Sequence, residues 1–511
     1  MQEKLFRYVA KFNQDDNEYY KQAIDNAHAE AWLAENIPYF ECPDTVLEEI
    51  YYFRWWTFRK HIKHTEDGDV LTEFLPHVRW AGKHNTIVAA VEHHVNEGRW
   101  LKCGKALLRS YLAFWLSGEG DAYRYSTALV YAVLTYCRHH ADISFAIAHL
   151  DALVDFYETV AAKHQTAHGL FWSIDNYDAM EYSISGTGER EGRTPRPTES
   201  IPPSARAREE MISTRGLRPT LNAYMAANAY AIAEIATAAG RTELAETYRN
   251  RCMEITEKMC QLLWEKDFFY ATHQIEDAVY PSVSSLPAER KAKELIGYIP
   301  FHYPILPSGY EQAFAELKKT DGFLSQFGLT SAEQRHSRYL YPVEHECLWN
   351  GYIWPFATSQ VIGAVANLLA NDKQNILTNE DLYAMLSTYA SGHYRTLPDG
   401  KRVCWIDEVQ DPRTGAWSSR DLLEAWGWLE RKGGLERGKD YNHSTFCDLV
   451  LGKLLGISYQ DGTLRVEPKI PADWSYFAVE NLWLGGTRYA IYYDKDGTHY
   501  NKGAGLVIEQ A

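Results

Sequence analysis

The sequence predicts a mainly α-helical protein whose helical hairpins close into an (α/α)6 toroid, followed by a small antiparallel β-sheet. Apolar residues recur at helical spacing in about a dozen segments, which is the number that six hairpins need. No motif repeats at a fixed short period, so a solenoid of small repeats is not expected. After residue 456 the pattern changes to short alternating segments separated by Gly and Asp-Gly turns, which is typical of hairpin strands.

The helical segments follow one another through most of the chain. They are predicted at residues 17–36, 45–62, 83–96, 104–115, 122–139, 143–163, 221–239, 243–264, 353–370, 379–391, 419–429 and 444–455. Gly240 and Gly456 follow helical segments at positions where a left-handed C-cap favours glycine. We therefore expect residues 1–455 to form the helical domain and residues 456–511 to form a C-terminal β cap.

Two long segments interrupt the helical pattern. Residues 182–219 are rich in Gly, Pro, Arg and Glu, and residues 301–337 are mixed in composition. Loops of this length in a compact domain are usually functional or disordered. We expect the first loop to be mobile without ligand and to help close a pocket, with Arg190, Arg193 and Arg196 meeting polar or anionic groups.

Composition excludes several classes of function. The formal net charge of −16 argues against a nucleic-acid or anionic-membrane partner, because both require basic surfaces. The eight cysteines show neither CxxC nor zinc spacing, and the N-terminus shows no signal peptide, so we expect a cytoplasmic protein with reduced thiols. No apolar run is long enough to span a membrane. No phosphate loop, dinucleotide fingerprint or metal motif is present, so we expect no cofactor and no metal, and the oligomeric state stays open.

Aromatic residues are abundant, at 14% of the chain with 16 Trp and 35 Tyr. Most of them will pack in the core, but sugars also stack their C–H faces on such rings. Four segments combine aromatic with charged or polar side chains, namely residues 51–62, 169–188, 344–360 and 404–417. This combination indicates a small-molecule carbohydrate as the binding partner.

Three carboxylates in these segments could carry glycoside hydrolysis, which requires two acids on opposite sides of a glycosidic bond. Asp175 and Asp178 lie among aromatic side chains that would raise the pKa of a proton donor. Glu408 lies in another connection between helical hairpins, and such connections gather at one end of a closed toroid. On the residues alone, either aspartate can be the general acid.

Four motifs carry a family resemblance, and they occur in the order "IDNYDAMEYS", "WNGYIWPFATS", "IDEVQDPRTG" and "YNHSTFCDLVLGKLLGI". Over most of residues 40–460 the chain resembles the (α/α)6 glycosidases of the trehalase-like group, above all the mannosylglycerate hydrolase-like domains related to glycoside hydrolase family 63. The resemblance implies an inverting mechanism with Asp175 as the acid and Glu408 as the base, and Asp178 competes for the acid role. Asn350 and Tyr352 depart from the family motif, and Arg54 stands where trehalases carry an aspartate, which argues against trehalose as the substrate.

We therefore expect an exo-acting, inverting glycoside hydrolase that cleaves a small glycoside or a terminal sugar. The side chains expected to bind the substrate are Arg54, Trp55, Trp172, Tyr177, Glu181, Asn222, His345, Glu346, Trp349, Asn350, Trp354 and Trp405. The alternatives are an (α/α)6 polysaccharide lyase or sugar epimerase, and a non-catalytic carbohydrate-binding protein. A lyase would leave the "IDEVQDPRTG" motif without a role, and a product screen separates all three.

Overall fold

The computed structural model describes residues 1–188, 212–275, 283–343, 345–370, 374–425, 427, 432–434, 436–460 and 462–510. Its α-helices span Gln2–Asp15, Asn26–Asn36, Thr45–Lys60, Val91–Gly98, Gly104–Leu116, Leu129–His140, Ile143–Ala148, Leu150–His164, Pro219–Ala238, Thr242–Leu262, Ile299–His302, Pro355–Leu368, Asn379–Ser391 and Ser419–Ala425. A π-helix covers Leu449–Leu454, and 3-10 turns lie at Lys83–Asn85, Val88–Ala90, Ala288–Arg290, Leu295–Tyr298 and Glu311–Lys318. Within these ranges, no helix has both the length and the apolar character that crossing a bilayer requires.

The most buried helices form an inner ring, and more exposed helices pack outside them. The inner helices are Thr45–Lys60, Val91–Gly98, Leu129–His140, Pro219–Ala238, Pro355–Leu368 and Leu449–Leu454. Outside them, Gln2–Asp15 packs on Thr45–Lys60, and Thr242–Leu262 packs on Pro219–Ala238. Apolar side chains of both layers merge into one large core. This double layer is the predicted (α/α)6 toroid, and the fold prediction is confirmed.

Several predicted helices start later in the structure, and for two of them the hydrogen bonds show the local reason. The segment predicted from residue 83 becomes α-helical only at Val91, after two 3-10 turns. The segment predicted from residue 17 becomes helical only at Asn26, because the carboxylate of Asp25 accepts the backbone N–H of His28 and caps the helix there. The segment predicted from residue 122 becomes helical at Leu129. The backbone N–H of Ser126 donates to a neighbouring loop instead of to the helix. The helix Gln2–Asp15 has no counterpart among the predicted segments.

The C-terminal segment forms antiparallel β-structure, as its sequence pattern predicts. Ile457–Gln460 pairs with Thr463–Val466, and Tyr476–Leu484, Thr487–Asp494 and Gly505–Gln510 pair in sequence order. Tyr39–Glu41 adds an edge strand beside Tyr476–Leu484. This strand is three residues long, too short to show a periodic pattern.

The remaining strands are short pieces in the connections between helices. They span Ile62–Thr65, Gly68–Leu71, Trp172–Ser173, Thr187–Gly188, Ile212–Ser213, Gly216–Leu217, Trp264–Glu265, Phe268–Phe269, His273–Ile275, Val283–Ser285, Tyr394–Thr396 and Arg402–Cys404. Trp172–Ser173 pairs with Gly216–Leu217, which fixes the chain just before Asp175 to the chain just before the helix Pro219–Ala238.

The two predicted inserted loops have different outcomes. Most of the loop 182–219, with Arg190, Arg193 and Arg196, lies outside the described residues, so its closing role stays a prediction. The segment 301–337 contains a 3-10 helix, Glu311–Lys318, whose Phe314 is fully buried, so part of this segment belongs to the packed core. The division into domains 1–455 and 456–511 also stays a prediction.

Candidate active site

The loops that precede the inner helices meet at one end of the ring. The loop before Leu129–His140 contacts the aspartate loop, because the N–H of Ser126 donates to the carbonyl of Tyr177 at 2.8 Å. The aspartate loop in turn contacts the loop before Pro355–Leu368, where the N–H of Trp349 donates to the carbonyl of Glu181 at 3.1 Å. Helix N-termini carry partial positive charge, so this end of the ring suits carboxylates.

Asp175 lies in a tightly wound, buried turn. Its carboxylate accepts the backbone N–H of Asn176 at 2.8 Å, and its side chain is almost completely buried. Ala179 and Tyr182 adopt left-handed conformations with φ of 55° and 61°, which non-glycine residues seldom do outside constrained sites. Gly186 packs against Asp175 so closely that an added Cβ would lie 2.4 Å from the aspartate Cβ. The position of Asp175 is therefore set by the backbone on both sides of it.

Asp178 has both carboxylate oxygens engaged by the protein. Its Oδ1 accepts the hydroxyls of Ser126 at 2.9 Å and Ser173 at 2.7 Å, and its Oδ2 accepts Nε of Arg218 at 2.7 Å. The Asp178 and Arg218 side chains are 0% and 2% exposed, so this is a buried ion pair. Asp178 therefore ties the aspartate loop to the start of the helix Pro219–Ala238.

Glu408 is buried and paired with an arginine that the sequence did not single out. Nη2 of Arg437 donates to Oε2 of Glu408, and Nη1 of Arg437 donates to Oε1 of Glu346 at 3.0 Å. Among the described residues, no side chain or backbone group donates to Oε1 of Glu408, and this oxygen is not enclosed. One oxygen of Glu408 is thus fixed, and the other is available to a small molecule.

Asp407, the neighbour of Glu408, forms its hydrogen bonds within the loop that carries both acids. Its Oδ1 accepts the backbone N–H of Glu408 at 2.8 Å and the hydroxyl of Ser419 at 3.1 Å. Burial raises its pKa, while the charge of Arg437 acts in the opposite direction. Gly438 lies against this carboxylate, since an added Cβ would be 1.9 Å from Oδ1. The adjacent acids therefore have different surroundings, and Asp407 shapes the loop that carries Glu408.

Glu346 lies at the centre of a buried charge cluster. Its Oε1 accepts Nζ of Lys432 at 2.7 Å as well as Arg437, and Nε2 of His345 lies 3.6 Å from its Oε2. The three positive or potentially positive groups hold the pKa of Glu346 well below its usual range despite its burial. Burial lowers the pKa of His345 to about 4, and its Nδ1 accepts the N–H of Cys347 at 3.0 Å. Glu346 is therefore ionised at neutral pH.

Two further carboxyls of the cluster retain their protons up to neutral pH. Burial raises the pKa of Glu181 to about 7, and the charge of Asp175 adds to the shift. The thiol of Cys347 donates to Glu181 at 3.1 Å. Burial also raises the pKa of Glu73 to about 7, and the charge of Glu181 contributes. These mutual effects place Glu73, Asp175 and Glu181 within electrostatic reach of one another.

The predicted aromatic residues divide between the charge cluster and the core. Trp349 and Trp354 stack at 4.3 Å between ring centroids with an interplanar angle of 12°. The Trp405 ring makes cation–π contacts with Arg395, Arg420 and Lys439, whose charged groups lie 5.1–5.7 Å from the ring centroid. Its Nε1 donates to Oδ2 of Asp407 at 3.4 Å.

The other three aromatic residues have different surroundings. Trp55 is fully buried and packs edge-on against Tyr51 and Phe58. Trp172 and Tyr177 remain partly exposed and flank His164, with ring centroids 4.6 Å from it in each case.

Three polar side chains that were predicted to bind the substrate form hydrogen bonds to the protein itself. Arg54 donates to the carbonyl of Ser444 at 2.6 Å and to the hydroxyl of Tyr389 at 3.1 Å. Asn222 holds the backbone of Phe171 by two hydrogen bonds, at 2.8 and 3.0 Å. The amide nitrogen of Asn350 donates to the carbonyl of Tyr341 at 2.8 Å, while its Oδ1 has no partner among the described residues.

Sequence reasoning missed Arg437, Glu73 and Tyr441, whose hydroxyl donates to Glu73. Arg437 lies in the segment 432–440, which has three lysines and arginines among three glycines and no aromatic residue. Its role depends on contacts with residues 29 and 91 positions away, which no local pattern reveals. Glu73 is the only charged residue in the stretch "VLTEFLP" at 70–76. A single acid in an apolar stretch is a weak local signal, and nothing else in the sequence indicates a role for Glu73.

A separate cavity of about 540 Å³ is lined by side chains of several inner helices and of the segment 301–311. Its lining includes Glu92, His302, Gln360 and Asn367, and none of the predicted catalytic carboxylates. His93 and Phe356, stacked at 4.2 Å between ring centroids, lie between this cavity and the Trp349 side of the ring. The charge cluster around Glu346 and Glu408 thus combines buried carboxylates, Arg437 and aromatic rings, and this cavity does not reach it.

A toroid of paired helices with carboxylates gathered on the loops at one end is the arrangement of a carbohydrate-active enzyme. Residues 83–444 match the family described as the mannosylglycerate hydrolase MGH1-like glycoside hydrolase domain. The match covers most of the chain, so the protein belongs to this glycoside hydrolase family, and the predicted family and enzyme class are confirmed.

Solved structures agree with this assignment at the level of the fold. A structure named "Sialidase" is 31% identical with a TM-score of 0.84, and the match covers 100% of this chain and 43% of that one. The family 63 mannosylglycerate hydrolase of Thermus thermophilus, in complex with glucose, is 11% identical with a TM-score of 0.50, covering 78% and 98% of the two chains. The family 78 rhamnosidase of Bacillus sp. GL1 is 12% identical with a TM-score of 0.51, covering 89% and 40%. The chain spans less than half of the length of the relative named sialidase.

Proposed function

We propose that the protein is an exo-acting glycoside hydrolase that inverts the anomeric centre, with Asp175 as general acid and Glu408 as general base. The observation that carries the proposal is the contrast between the carboxylates. Glu408 has one oxygen fixed by Arg437 and one that no described group donates to, whereas both oxygens of Asp178 are used by Arg218 and two serines. A general acid must release its proton to the leaving oxygen, which a carboxylate in a buried ion pair cannot do.

In this scheme Asp175 donates its proton to the glycosidic oxygen as the bond to the anomeric carbon breaks. Oε1 of Glu408 takes a proton from a water on the opposite face of the sugar, and that water attacks the anomeric carbon. Inversion requires room for this water, so the two carboxyl groups should lie about 6.5–9.5 Å apart when substrate is bound. Support comes from their placement on separate loops that hydrogen bonds between the loops draw to one end of the toroid.

We assign substrate binding to groups on the aspartate loop and on the loop 345–354 that contacts it. Protonated Glu181 can donate a hydrogen bond to a sugar oxygen, and ionised Glu346 can accept one from a hydroxyl. Asn350 and the stacked pair Trp349 and Trp354 supply a polar atom and flat apolar surface. Further binding roles remain proposed for Trp55, Trp172, Tyr177, His345 and Trp405. We propose supporting roles for Arg54 and Asn222, because their polar atoms already bond to the protein.

The charges of the described cluster favour a neutral sugar at the cleaved bond. Arg437 and Lys432 both pair with Glu346, and Arg218 pairs with Asp178. Recognition of a substrate carboxylate would have to compete with these acids for the same cations. One structural relative is named "Sialidase". That name belongs to a longer protein, of which 43% is matched by this chain, so it does not assign a sialoside to the matched part.

Proton NMR of a hydrolysis reaction tests the proposal. A panel of 4-nitrophenyl glycosides and small natural glycosides identifies a substrate, and the first-formed sugar is observed before it mutarotates. Inversion predicts a product of the opposite anomeric configuration, and the Glu408→Gln protein is the negative control. A product with the substrate's own configuration would mean retention and make Glu408 a nucleophile. An unsaturated product absorbing in the ultraviolet would indicate a lyase, and no product on the whole panel would favour a binding protein.

A further inference from the structure

Arg437 connects two acids that the sequence places 62 residues apart, Glu346 and Glu408. Its two terminal nitrogens donate to different carboxylates, and its side chain is 1% exposed. The rings of Phe74 and Trp80 each lie 5.6 Å from the guanidinium carbon and confine it further. A planar fork with several N–H groups is required for this bridge, and lysine could not reproduce it.

We propose that Arg437, held in place by Glu346, is a positioning residue that orients Glu408 for catalysis. The inference rests on the proposed function of Glu408 as the base. By taking Oε2, the guanidinium stops the carboxylate from rotating and leaves Oε1 as the oxygen that meets the attacking water. Orientation of this kind is worth more than its hydrogen bond, because a misplacement of about 1 Å in a reacting group costs on the order of 10²-fold in rate.

The charges around Glu408 explain why an arginine is needed at this point. Glu346 lies across the same guanidinium, and Asp407 is the neighbour in sequence. The charge of Arg437 also acts on the pKa values of Glu73, Asp407, His345 and Tyr441, and the charge of Glu346 acts on that of Tyr182. Lys432 and Arg420 are the other cations, and Asp175 and Lys432 act on Glu181. A buried carboxylate among this many acids would lose its negative charge without a cation bonded to it. Arg437 therefore keeps Glu408 able to accept a proton.

Glu346 has the complementary effect. Its negative charge lies on the same guanidinium as Glu408 and offsets part of the positive charge of Arg437. Glu346 therefore raises the pKa of Glu408, whereas Arg437 lowers it. Lys432 compensates part of the Glu346 charge at 2.7 Å. Removing Arg437 and removing Glu346 should therefore change the proton affinity of Glu408 in opposite directions, which a simple loss of structure would not do.

The test is the pH dependence of kcat/KM with the best 4-nitrophenyl glycoside of the panel. Nitrophenolate leaves with little need of a proton, so the low-pH limb reports the ionisation of the base. For Arg437→Gln we expect the limb to move to higher pH by about 1–3 units, with a loss of about 10²-fold in kcat. For Glu346→Gln we expect the limb to move to lower pH. Arg437→Lys keeps the positive charge but loses the planar guanidinium that bonds to both carboxylates. The low-pH limb of this variant should stay near that of the wild type, while its kcat falls.

The matched control is Arg413→Gln. Arg413 is an exposed arginine beside Asp411 on the loop that carries Glu408, and its removal should change neither the rate nor the limb. The inference is overturned if the low-pH limb is the same in wild type, Arg437→Gln and Glu346→Gln, or moves the same way in both. Should Arg437→Gln not fold, Glu346→Gln and Arg437→Lys carry the test. Failure of the proposed function looks different, since the wild type would then release no sugar or Glu408→Gln would remain active.

Discussion

Replacing Asp178 by asparagine separates the two candidates for the general acid. The change keeps the shape of the side chain but removes the charge that faces Arg218. Arg218 is 2% exposed, so its guanidinium would remain buried without a full counter-charge. We expect a loss of stability with little direct effect on the chemical step, whereas Asp175→Asn should lose turnover and keep most of its stability.

The size of the effect follows from the burial of the pair. Breaking a buried ion pair by removing one partner typically costs about 3–5 kcal/mol. The entropy of unfolding is about 2.1 cal/mol/K per residue, which for 511 residues gives about 1 kcal/mol/K. Asp178→Asn should therefore lower Tm by about 3–5 °C. Asp175→Asn should reduce turnover by about 10²–10⁴-fold on glycosides with poor leaving groups, because such groups need a proton.

Differential scanning calorimetry gives Tm, and steady-state kinetics on an alkyl and a 4-nitrophenyl glycoside give the leaving-group dependence. Asp175→Asn should be far more impaired on the alkyl glycoside than on the nitrophenyl one. Asp178→Asn should show the wild-type ratio of the two rates. An unchanged Tm together with a strong leaving-group dependence in Asp178→Asn would refute the reasoning and give the acid role to Asp178.

Three further predictions concern Glu408, Glu73 and Arg54. Glu408→Gln should reduce turnover by about 10²–10⁴-fold with an unchanged circular dichroism spectrum, and a larger loss for Asp407→Asn would move the base role to Asp407. Glu73 has a folded pKa of about 7 against an ordinary value of 4.5, so the folded state binds more protons between these pH values and stability falls as pH rises through them. Glutamine does not titrate, so the Glu73→Gln protein should lose less stability than the wild type between pH 5 and pH 8, by on the order of 1–3 kcal/mol. The measurement is the drop in Tm over this pH range, which should be smaller in the variant. Arg54→Met should lower stability by about 2–4 kcal/mol in denaturant titrations with KM unchanged, and a raised KM would return Arg54 to substrate binding.

Several predictions about this protein need no tertiary information and remain open to experiment. The prediction that nucleic acid is not a partner rests on the net charge, and the predicted location rests on cysteine usage. The expectation of no cofactor rests on missing motifs. These stay predictions, because neither fold nor family membership bears on them.

The sequence by itself determined the helical toroid, the C-terminal strands and the segments that hold Asp175, Glu346 and Glu408. Helical periodicity and turn residues are local signals, since the burial of one helix face and the conformation of a turn leave their mark within a few residues. The family motifs are local in the same sense. Where a cap or a neighbouring loop decided the outcome, as at Asp25 and Ser126, the local pattern placed a helix start several residues too early.

Only the tertiary structure decided how the acids differ. Asp175 and Asp178 are three positions apart in one aromatic motif, yet Arg218 makes Asp178 part of a buried ion pair. Asp407 and Glu408 are adjacent, yet Arg437 donates a hydrogen bond to Glu408, while Asp407 accepts the hydroxyl of Ser419. A carboxyl's proton affinity depends on burial and on charges within a few ångströms, and these come from residues distant in sequence. That is why the sequence could name the acids of this protein but could not show which cation each of them meets.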